Sequence, residues 1–367
     1  MGDRQISLNI YDEWLRDESD AAAIVMRQLL EPVGGKDSVI FPPTYASPPG
    51  KKDEEWTGYN IDRFNDGHSV CQIDSVGSQA NRMEPIFKKG ECSKLIPQVI
   101  IKAGDREVNL LDAGHRAADA IVRFSTLSDE LKDAFSKYQN GGNADALAKI
   151  APTSIVFGSW DSRGTQAKLP RIVGSVIRAY DVDVLHRSAQ YSTIAGEIIE
   201  GGEAEVIESG PKAELGLAHV PAVRKHGGIR VRGDIRRDAT LNLAAIRALK
   251  GLDGGMTLKL RRYILGLALV AITWPQETFL REGCQLVPDQ KHPVEWQVVR
   301  SDGSREAFSL QHSEAINFAQ MASAEFGVGS SRTGTFDSKA AKKAIDDSNS
   351  KKRKTSRQIP EEQANEG

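Results

Sequence analysis

The chain has 367 residues, of which 40% are hydrophobic and 27% are charged, and its formal net charge is −2. This composition is ordinary for a globular protein with a buried core, and the near-neutral balance excludes a chain that is basic throughout. A nucleic-acid partner must therefore be sought in local charge. Cys71, Cys92 and Cys284 are far apart and form no CxxC pair, which argues against a disulfide framework and a clustered zinc site.

Membrane insertion is not predicted for any segment. Residues 1–20 carry acids where a signal peptide has a basic start and an apolar run. The most apolar window, residues 263–274, is shorter than the roughly 20 residues that a helix needs to span a bilayer. We therefore expect a soluble, cytoplasmic protein with no membrane partner.

The predicted elements follow one another without a strict βαβ alternation. In chain order they are a helix over 12–31, a strand over 69–76, a turn into a helix over 77–87, a strand pair over 97–111, a helix over 112–127, a buried strand over 154–160, a helix over 163–179, a strand over 227–233, a helix over 238–250, a helix or strand over 258–273, and a hairpin over 294–310. This mixture favours an α+β fold over a doubly wound sheet.

Two segments stand apart in charge. Residues 193–219 are acidic, with turns at Gly201-Gly202 and Gly210-Pro211. From residue 331 onward the chain is polar and charged, which predicts a disordered tail or a frayed helix over 331–367. The remaining residues, 1–330, are expected to form one fold with insertions.

The basic stretch, residues 224–262, is the strongest local charge feature. Eleven Lys and Arg residues stand there against three Asp residues: Arg224, Lys225, Arg230, Arg232, Arg236, Arg237, Arg247, Lys250, Lys259, Arg261 and Arg262. Side chains alternate along a strand, so Arg230 and Arg232 share a face that suits a row of phosphates. Flanking glycines would let a backbone approach closely. A solvated surface explains the stretch equally well.

A second candidate site is the loop over residues 160–171. Arg163, Lys168 and Arg171 add positive charge there, and Ser162 and Gln166 add hydrogen-bonding groups. Free backbone N–H groups at a helix start attract phosphate, but the GxxxxGK[ST] spacing of a P-loop is absent. On spacing alone, a capped helix with basic residues at its surface is the preferred interpretation.

A third candidate lies over residues 74–84, where a strand leads into a polar turn. Gln79, Asn81 and Arg82 could bind an RNA backbone or base edges. Taken alone, this segment is better explained by turn chemistry and a salt bridge.

Enzymatic signals are weaker. His115 has no evident triad partner in the sequence, and neither a GxSxG elbow nor an HExxH pair is present. Asp74, Asp112 and Asp161 each follow an apolar run, which leaves a metal-dependent nuclease open. Such a site needs converging carboxylates, and convergence is not visible in a sequence.

Four segments together resemble one family. They are IDSVGSQANRMEP (73–85), LDAGHRAADAIVR (111–123), SIVFGSWDSRGTQAKLPRIVGSVIRAYDV (154–182) and GGIRVRGDIRRDATLNLAAIRAL (227–249). In order and spacing they resemble the RAMP-type backbone protein of type I-G (formerly I-U) CRISPR Cascade surveillance complexes. The resemblance extends from about residue 30 to about residue 275, and the block WDSRGTQAKLPR is its most specific part.

The resemblance implies a ferredoxin-like, RRM-related core with inserted lobes, among them a thumb hairpin and a helical insertion. It implies a guide-RNA (crRNA)-binding subunit that polymerises head-to-tail with further copies of itself, beside other Cascade subunits. Target DNA would pair with the exposed guide bases, so protein contacts would be mainly to the RNA backbone. Because aromatic residues make up 6% of the chain, stacking is expected to be secondary to charge.

Related type III complexes cut RNA with a backbone Asp that aligns to no particular residue here. We therefore expect a non-catalytic subunit without metal or cofactor; the alternative is a metal-dependent ribonuclease of the RAMP superfamily. The residues expected to contact RNA are Gln79, Asn81, Arg82, His115, Arg116, Ser162, Arg163, Gln166, Lys168, Arg171, Arg224, Lys225, His226, Arg230, Arg232, Arg236, Arg237, Arg261 and Arg262.

Overall fold

A computed structural model describes residues 7–50 and 56–356, without the side chains of 223–225 and 350–356. Its strands are β1 (Ala21–Pro32), β2 (Val39–Ile40), β3 (Ile61–Arg63), β4 (Ser69–Asp74), β5 (Val99–Ala103), β6 (Arg106–Asn109), β7 (Ser159–Trp160), β8 (Lys168–Leu169), β9 (Val173–Tyr180), β10 (Val182–Tyr191), β11 (Val220–Val231), β12 (Ile235–Asn242), β13 (Phe279–Arg281), β14 (Cys284–Pro288), β15 (Glu295–Arg300), β16 (Arg305–Ala307) and β17 (Arg332–Thr335).

Helices are interleaved with these strands. The α-helices are α1 (Asp12–Leu15), α2 (Val76–Met83), α3 (Ala120–Arg123), α4 (Ser128–Gly141), α5 (Asp145–Ala148), α6 (Pro152–Val156), α7 (Ile194–Glu200), α8 (Pro211–Glu214), α9 (Leu243–Arg247), α10 (Gly254–Thr273), α11 (His312–Phe326) and α12 (Ser338–Ser356). Short 3₁₀ turns lie at Glu84–Lys88, Gly90–Lys94, Leu110–Asp112 and Arg116–Ala118.

The largest sheet is a curled antiparallel half-barrel of nine strands. Its centre is the long strand β1, which pairs with β12 on one side and with β14 and β15 on the other. Beyond β12 the order continues through β9 and β4 to β3. Because β12 is antiparallel to both neighbours, β1 and β9 run in the same direction on either side of it. The predicted mixture of helices with a sheet that is not doubly wound is therefore confirmed.

Strand β1 corrects the helix predicted over 12–31. Helix is confined to α1, whereas Ile24, Met26 and Leu30 are buried at even spacing and Arg27 between them is exposed. The three alanines at the start of β1 fit the period of a helix as well as that of a strand. The spacing of apolar residues there therefore did not separate the two structures. Tertiary pairing on both edges of β1 decides the outcome.

The same ambiguity accounts for four further errors. The helix predicted over 163–179 is replaced by β8 and β9, and the first half of the helix predicted over 238–250 is β12, with the α9 cap at Asn242. In place of the buried strand predicted over 154–160, residues 154–156 end α6 and residues 159–160 form β7, and 112–127 forms separate turns with a cap at Asp119. Each segment is short and buried, a case in which periodicity alone is a weak guide. The strand over 69–76 and the hairpins over 97–111 and 294–310 are confirmed.

Helices cover one face of the sheet. Residues 258–273, left open as helix or strand, form most of α10, which is buried along most of its length. It packs closely on α11, since a Cβ added at Gly266 would lie 2.9 Å from Ala319 Cα. The opposite face is more open and carries Arg27, Arg178 and Arg236.

A long hairpin leaves the sheet between β9 and β12. We call β10 and β11, with the residues between them, the arm, and residues 193–219 the arm tip, which contains α7 and α8. The arm begins at Asp181, which adopts a left-handed backbone conformation (φ 54°). At its root, Val182 and Val231 are buried in a second core cluster with Ile229.

The C-terminal segment contains two regular elements. Strand β17 pairs in parallel with β5, and α12 follows it, in line with the helix alternative predicted for this segment. Residues 357–367 lie outside the described residues. Across 7–50 and 56–356, helices long and apolar enough to cross a membrane are absent.

Candidate nucleic-acid interface

The root of the arm presents two arginines to solvent. Arg230, in β11, is exposed and lies opposite Asp183 of β10. Arg232, just after β11, has its Nε 3.3 Å from Asp183 Oδ1, and both side chains are about half exposed. Within the described part of the chain, Arg230 has no ion pair. Exposed ion pairs of this kind contribute about 0–1 kcal/mol, so a phosphate can compete with Asp183 for Arg232.

A groove of about 340 Å³ lies beside these arginines. It is bounded by Arg230, Arg232 and Lys36 on one hand and by acids such as Asp234 on the other. Lys36 Nζ lies 2.9 Å from Asp289 Oδ2, and this contact, with a hydrogen bond to the His292 ring, holds the pKa of Asp289 well below its usual range. Asp289 is therefore ionised and pairs with Lys36, so Lys36 is engaged. Arg230 and Arg232 remain as the cations of the groove that a phosphate could contact.

A second basic group lies on the open face of the sheet. Arg236 stacks on Tyr180, with its guanidinium carbon 4.4 Å from the ring centroid and Nη2 donating to the hydroxyl at 2.6 Å. Arg236 also donates to Asp238, which accepts a further bond from Arg27. Arg178 lies directly across from Arg236 on β9, and no ion pair of Arg178 is found among the described residues. Asp238 thus accepts from two guanidinium groups, and Glu295 of β15 lies across from Arg27.

Trp160 marks a third group, in the loop between β7 and β8. Its side chain is 58% exposed, and Lys168 Nζ lies 5.8 Å from its ring. Asp161 organises the loop by accepting from both the backbone N (2.6 Å) and the hydroxyl (2.8 Å) of Thr165. Exposed aromatic rings beside a cation can stack nucleobases.

The remaining predicted residues of this loop differ in accessibility. Arg163 is exposed and Ser162 half-buried, while Gln166 is exposed but donates its side chain back to the Ser162 carbonyl at 2.7 Å. Arg171 is exposed as well, and its Nε donates to the Phe157 carbonyl. The β7–β8 loop is thus a real surface feature, although it precedes a strand and not the predicted helix.

His115 and Arg116 differ in their exposure to solvent. His115 is exposed, and its carbonyl accepts from Ser159 at the base of the β7–β8 loop. Arg116 is buried, with its Nε 2.7 Å from Glu84 Oε2 and its guanidinium 5.4 Å from the Phe157 ring centroid. Arg116 is therefore a structural cation that does not reach the surface.

The candidate site over 74–84 is largely internal. Gln79 is buried between Asp74 and Ser175, and Arg82 pairs with Asp74 and donates to the Leu280 carbonyl. Asn81 alone among the three predicted residues is exposed. Turn chemistry with a salt bridge, the interpretation preferred for this segment alone, describes it correctly.

Much of the basic stretch is also internal. Arg237 is buried and donates to Ser175 Oγ, and burial lowers its pKa to about 10. Arg261 is buried against Asp17 and backbone carbonyls, and Arg262 pairs with Asp12 and Glu325. These three arginines have their donors engaged by groups of the protein itself.

Three predicted residues lie near the middle of β11. The side chains of Arg224 and Lys225 are outside the described residues. His226 is exposed, with its ring centroid 5.4 Å from that of Tyr59. Gly58, with φ +79°, makes room for this ring, because an added Cβ would collide with it.

The carboxylates considered for a nuclease do not converge. Asp74 is fully buried and accepts from Arg82 and Arg281, and Asp112 pairs with Lys88 at 2.5 Å. Asp161 is occupied by its own loop. In the described ranges no three His, Cys, Asp or Glu residues group in a way that could hold a metal ion.

Sequence reasoning missed Arg27, Arg178, Tyr180 and Trp160 as candidates. Arg178 was hidden by the helix predicted over 163–179, and Tyr180 directly follows that helix, although Val173, Ser175, Ile177 and Ala179 alternate with them as in a half-buried strand. Trp160 stood inside the quoted loop, but its exposure is visible only in the structure.

Comparison with known proteins bears on the first half of the chain. Residues 24–184, somewhat less than half of the chain, match the model of the family described as CRISPR-associated protein GSU0053 (Cas_GSU0053). The matched segment runs from β1 to the start of the arm and contains the β7–β8 loop. None of the curated proteins matches the chain significantly. Residues 24–184 are therefore similar to a family of CRISPR-associated proteins.

Proposed function

We propose that this protein is a non-catalytic subunit of a type I-G Cascade complex, which binds guide RNA and polymerises along it. The observation that carries the proposal is the pair Arg230 and Arg178, exposed or half-exposed guanidinium groups without an acidic partner among the described residues. The family match supports a role in CRISPR defence. Trp160 and Lys168 would add a stacking site within the matched segment.

The proposed core is ferredoxin-like and related to RRM domains. Support comes from the strand order β15-β1-β12-β9, in which β12 separates two strands of the same direction, as in a split βαβ unit. Helices α2 and α10 lie on one face of these strands. RRM domains bind RNA on the open face of such a sheet, where this protein carries Arg178, Tyr180 and Arg236.

The chemistry of these groups suits backbone recognition. A guanidinium group presents a planar fork of donors to phosphate oxygens, and it remains charged at any physiological pH. Phosphate contacts position a protein on a nucleic acid without reading sequence. A subunit of this kind would leave guide bases free to pair with target DNA.

The proposal is tested by reversing charge at the root of the arm. Arg230→Glu with Arg232→Glu should weaken RNA binding and reduce the salt slope by roughly 0.7 for each phosphate that the variant no longer binds. The matched control is Lys102→Glu with Arg106→Glu, which makes the same charge change on the exposed β5–β6 hairpin. Equal reductions in both double variants would mean that net charge, not the arm root, governs binding.

The non-catalytic part of the proposal has its own experiment. The purified protein is incubated with bound guide, complementary RNA and Mg²⁺, and the products are resolved by gel electrophoresis. We expect the complementary strand to stay intact. Cleavage that is abolished by Asp112→Ala, at an exposed carboxylate, would replace this part of the proposal with a ribonuclease.

A further inference from the structure

The arm tip is built with its large apolar side chains outside. Its interior consists of small or polar residues, among them Gly196, Ala204 and Ala218, which are buried. Ile194 and Ile198 of α7 are 75% and 76% exposed, and Leu215 is exposed to a similar degree. Ile194 and Ile198 are four residues apart on α7 and share one face of it, and an exposed apolar surface of this kind marks an interaction site.

The internal packing of the tip shows that this exposure is a property of a folded lobe. Thr193 Oγ1 caps α7 by accepting from Gly196 N, and the Thr193 backbone N donates to the ring of His219, which is buried. A Cβ at Gly196 would meet the Leu217 carbonyl, so the chain passes itself at close range there. The isoleucines are therefore held outward by a defined structure.

The charge of the tip argues against RNA as its partner. Residues 193–219 contain six Glu residues and one Lys residue. Lys212 is engaged with Glu200 and Glu205, which leaves the other four acids without a lysine or arginine partner in the described residues. A phosphate backbone would be repelled, so an apolar and basic protein surface is the better fit.

The chain itself carries such a surface at its other end. A groove of about 620 Å³ lies between α3 and α12, and its apolar lining consists of Ile121, Phe124, Phe336, Ala341, Ala344 and Ile345. Arg123 and Asp119 lie in the same groove, and Lys339, Lys342 and Lys343 of α12 are exposed. In sequence, residues 338–356 hold seven Lys and Arg residues against two Asp residues.

We propose that the arm tip of one copy docks into the α3–α12 groove of a second copy, with Ile194 and Ile198 entering the groove and the tip's glutamates facing the lysines of α12. The two surfaces match in both apolar character and charge. Because they are different patches, the contact is heterologous, and repetition generates a chain of copies, either an open filament or a ring, instead of a two-fold dimer. The inference rests on the proposed function in that polymerisation along a guide requires such a contact.

Cross-linking between two single-cysteine variants tests this docking. The native Cys71, Cys92 and Cys284 are buried, so new surface thiols can be addressed selectively. Ile198→Cys in one preparation and Ile345→Cys in another are mixed and treated with a short bis-maleimide, with and without guide RNA. The control replaces Ile345→Cys with Leu252→Cys, at a position that is 79% exposed and outside both surfaces.

We expect the 198–345 pair to give several-fold more heterodimer than the 198–252 pair, with a yield that falls as salt is raised. Equal yields from the two pairs in both conditions would overturn the docking. Binding of an RNA oligonucleotide long enough for one copy is measured on the same variants. Absence of oligonucleotide binding with a preserved cross-link would defeat the proposed function alone, and the reverse result would defeat the docking alone.

Discussion

The basic stretch divides into two regions with opposite environments. On β11 and just after it, Arg230 and Arg232 face solvent, whereas Arg237, Arg261 and Arg262 lie inside the protein. All five belong to one run of local positive charge in the sequence. A basic run in the sequence therefore contributes surface charge only where the helices and strands of the fold expose its side chains.

Alternation explains the division on the strands. Successive side chains of β12 point to opposite faces, so Arg236 reaches the open face while Arg237 enters the helical layer. Arg237 has its pKa lowered to about 10 by burial and stays protonated at neutral pH, with its donors spent on Ser175 and the Ile272 carbonyl. Its guanidinium group is hydrogen-bonded inside the protein and is hidden from ligands.

The largest effect should come from breaking an internal arginine. Arg262 is 11% exposed and pairs with Asp12 and Glu325, so Arg262→Ala leaves two partly buried carboxylates without a partner. We expect the free energy of unfolding to fall by about 3 kcal/mol, the lower end for a buried pair. Urea denaturation measures the decrease.

The control for this prediction is Arg305→Ala, which removes an exposed guanidinium bound to Gln297 and should change stability by about 0.5 kcal/mol or less. RNA affinity per folded molecule should be the same in Arg262→Ala and in the unaltered protein. A specific decrease of RNA affinity in Arg262→Ala would break the division between internal and surface arginines.

A smaller effect is expected from the exposed aromatic residue of the β7–β8 loop. If a nucleobase stacks on Trp160, Trp160→Ala should weaken oligonucleotide binding by about 1–3 kcal/mol, while Trp160→Phe keeps most of the affinity. Tyr191, also 58% exposed, is the matched control. Binding titrations that show equal decreases for Trp160→Ala and Tyr191→Ala would remove stacking from the interface.

A weaker effect is expected on the open sheet face. Arg178→Gln should reduce the salt slope of RNA binding by roughly 0.7 because one phosphate is no longer bound. Arg106→Gln, on the exposed β6 strand, removes the same charge elsewhere and should leave the slope unchanged. An unchanged slope in Arg178→Gln would mean that the RNA-binding surface includes the arm root and the β7–β8 loop but not the open face of the sheet.

How far the sequence reaches can be judged from particular residues. The exposed arginine face of the arm root followed from alternation around Arg230, and the hairpins followed from turn residues such as Gly104-Asp105 and Asp302-Gly303. The resemblance placed the chain among CRISPR-associated proteins, which the family match supports. These signals are local in sequence or extend over long segments.

What sequence could not supply is tertiary pairing. Arg116 and Arg163 are both single arginines in polar loops, yet one is buried on Glu84 and the other is exposed. Their difference depends on partners that are distant along the chain. The same holds for Arg178, whose strand is fixed by pairing with β12 and β4.

The smallest expected effect concerns the anchor of the arm root. His68 Nδ1 lies 2.9 Å from Asp181 Oδ1, and this hydrogen bond and the charge of Asp181 raise the pKa of His68 above its ordinary value. The pair therefore stabilises the root fully below the ordinary histidine pKa of about 6.5, and this contribution disappears as pH rises through the elevated pKa.

Asp181→Asn should return the pKa of His68, followed by NMR, toward about 6.5. The pKa of His312, lowered by burial, should not move, because Asp181 is not among its causes. A His68 pKa that is identical in both proteins would mean that Asp181 holds the arm root only through its bond from Ser69 N.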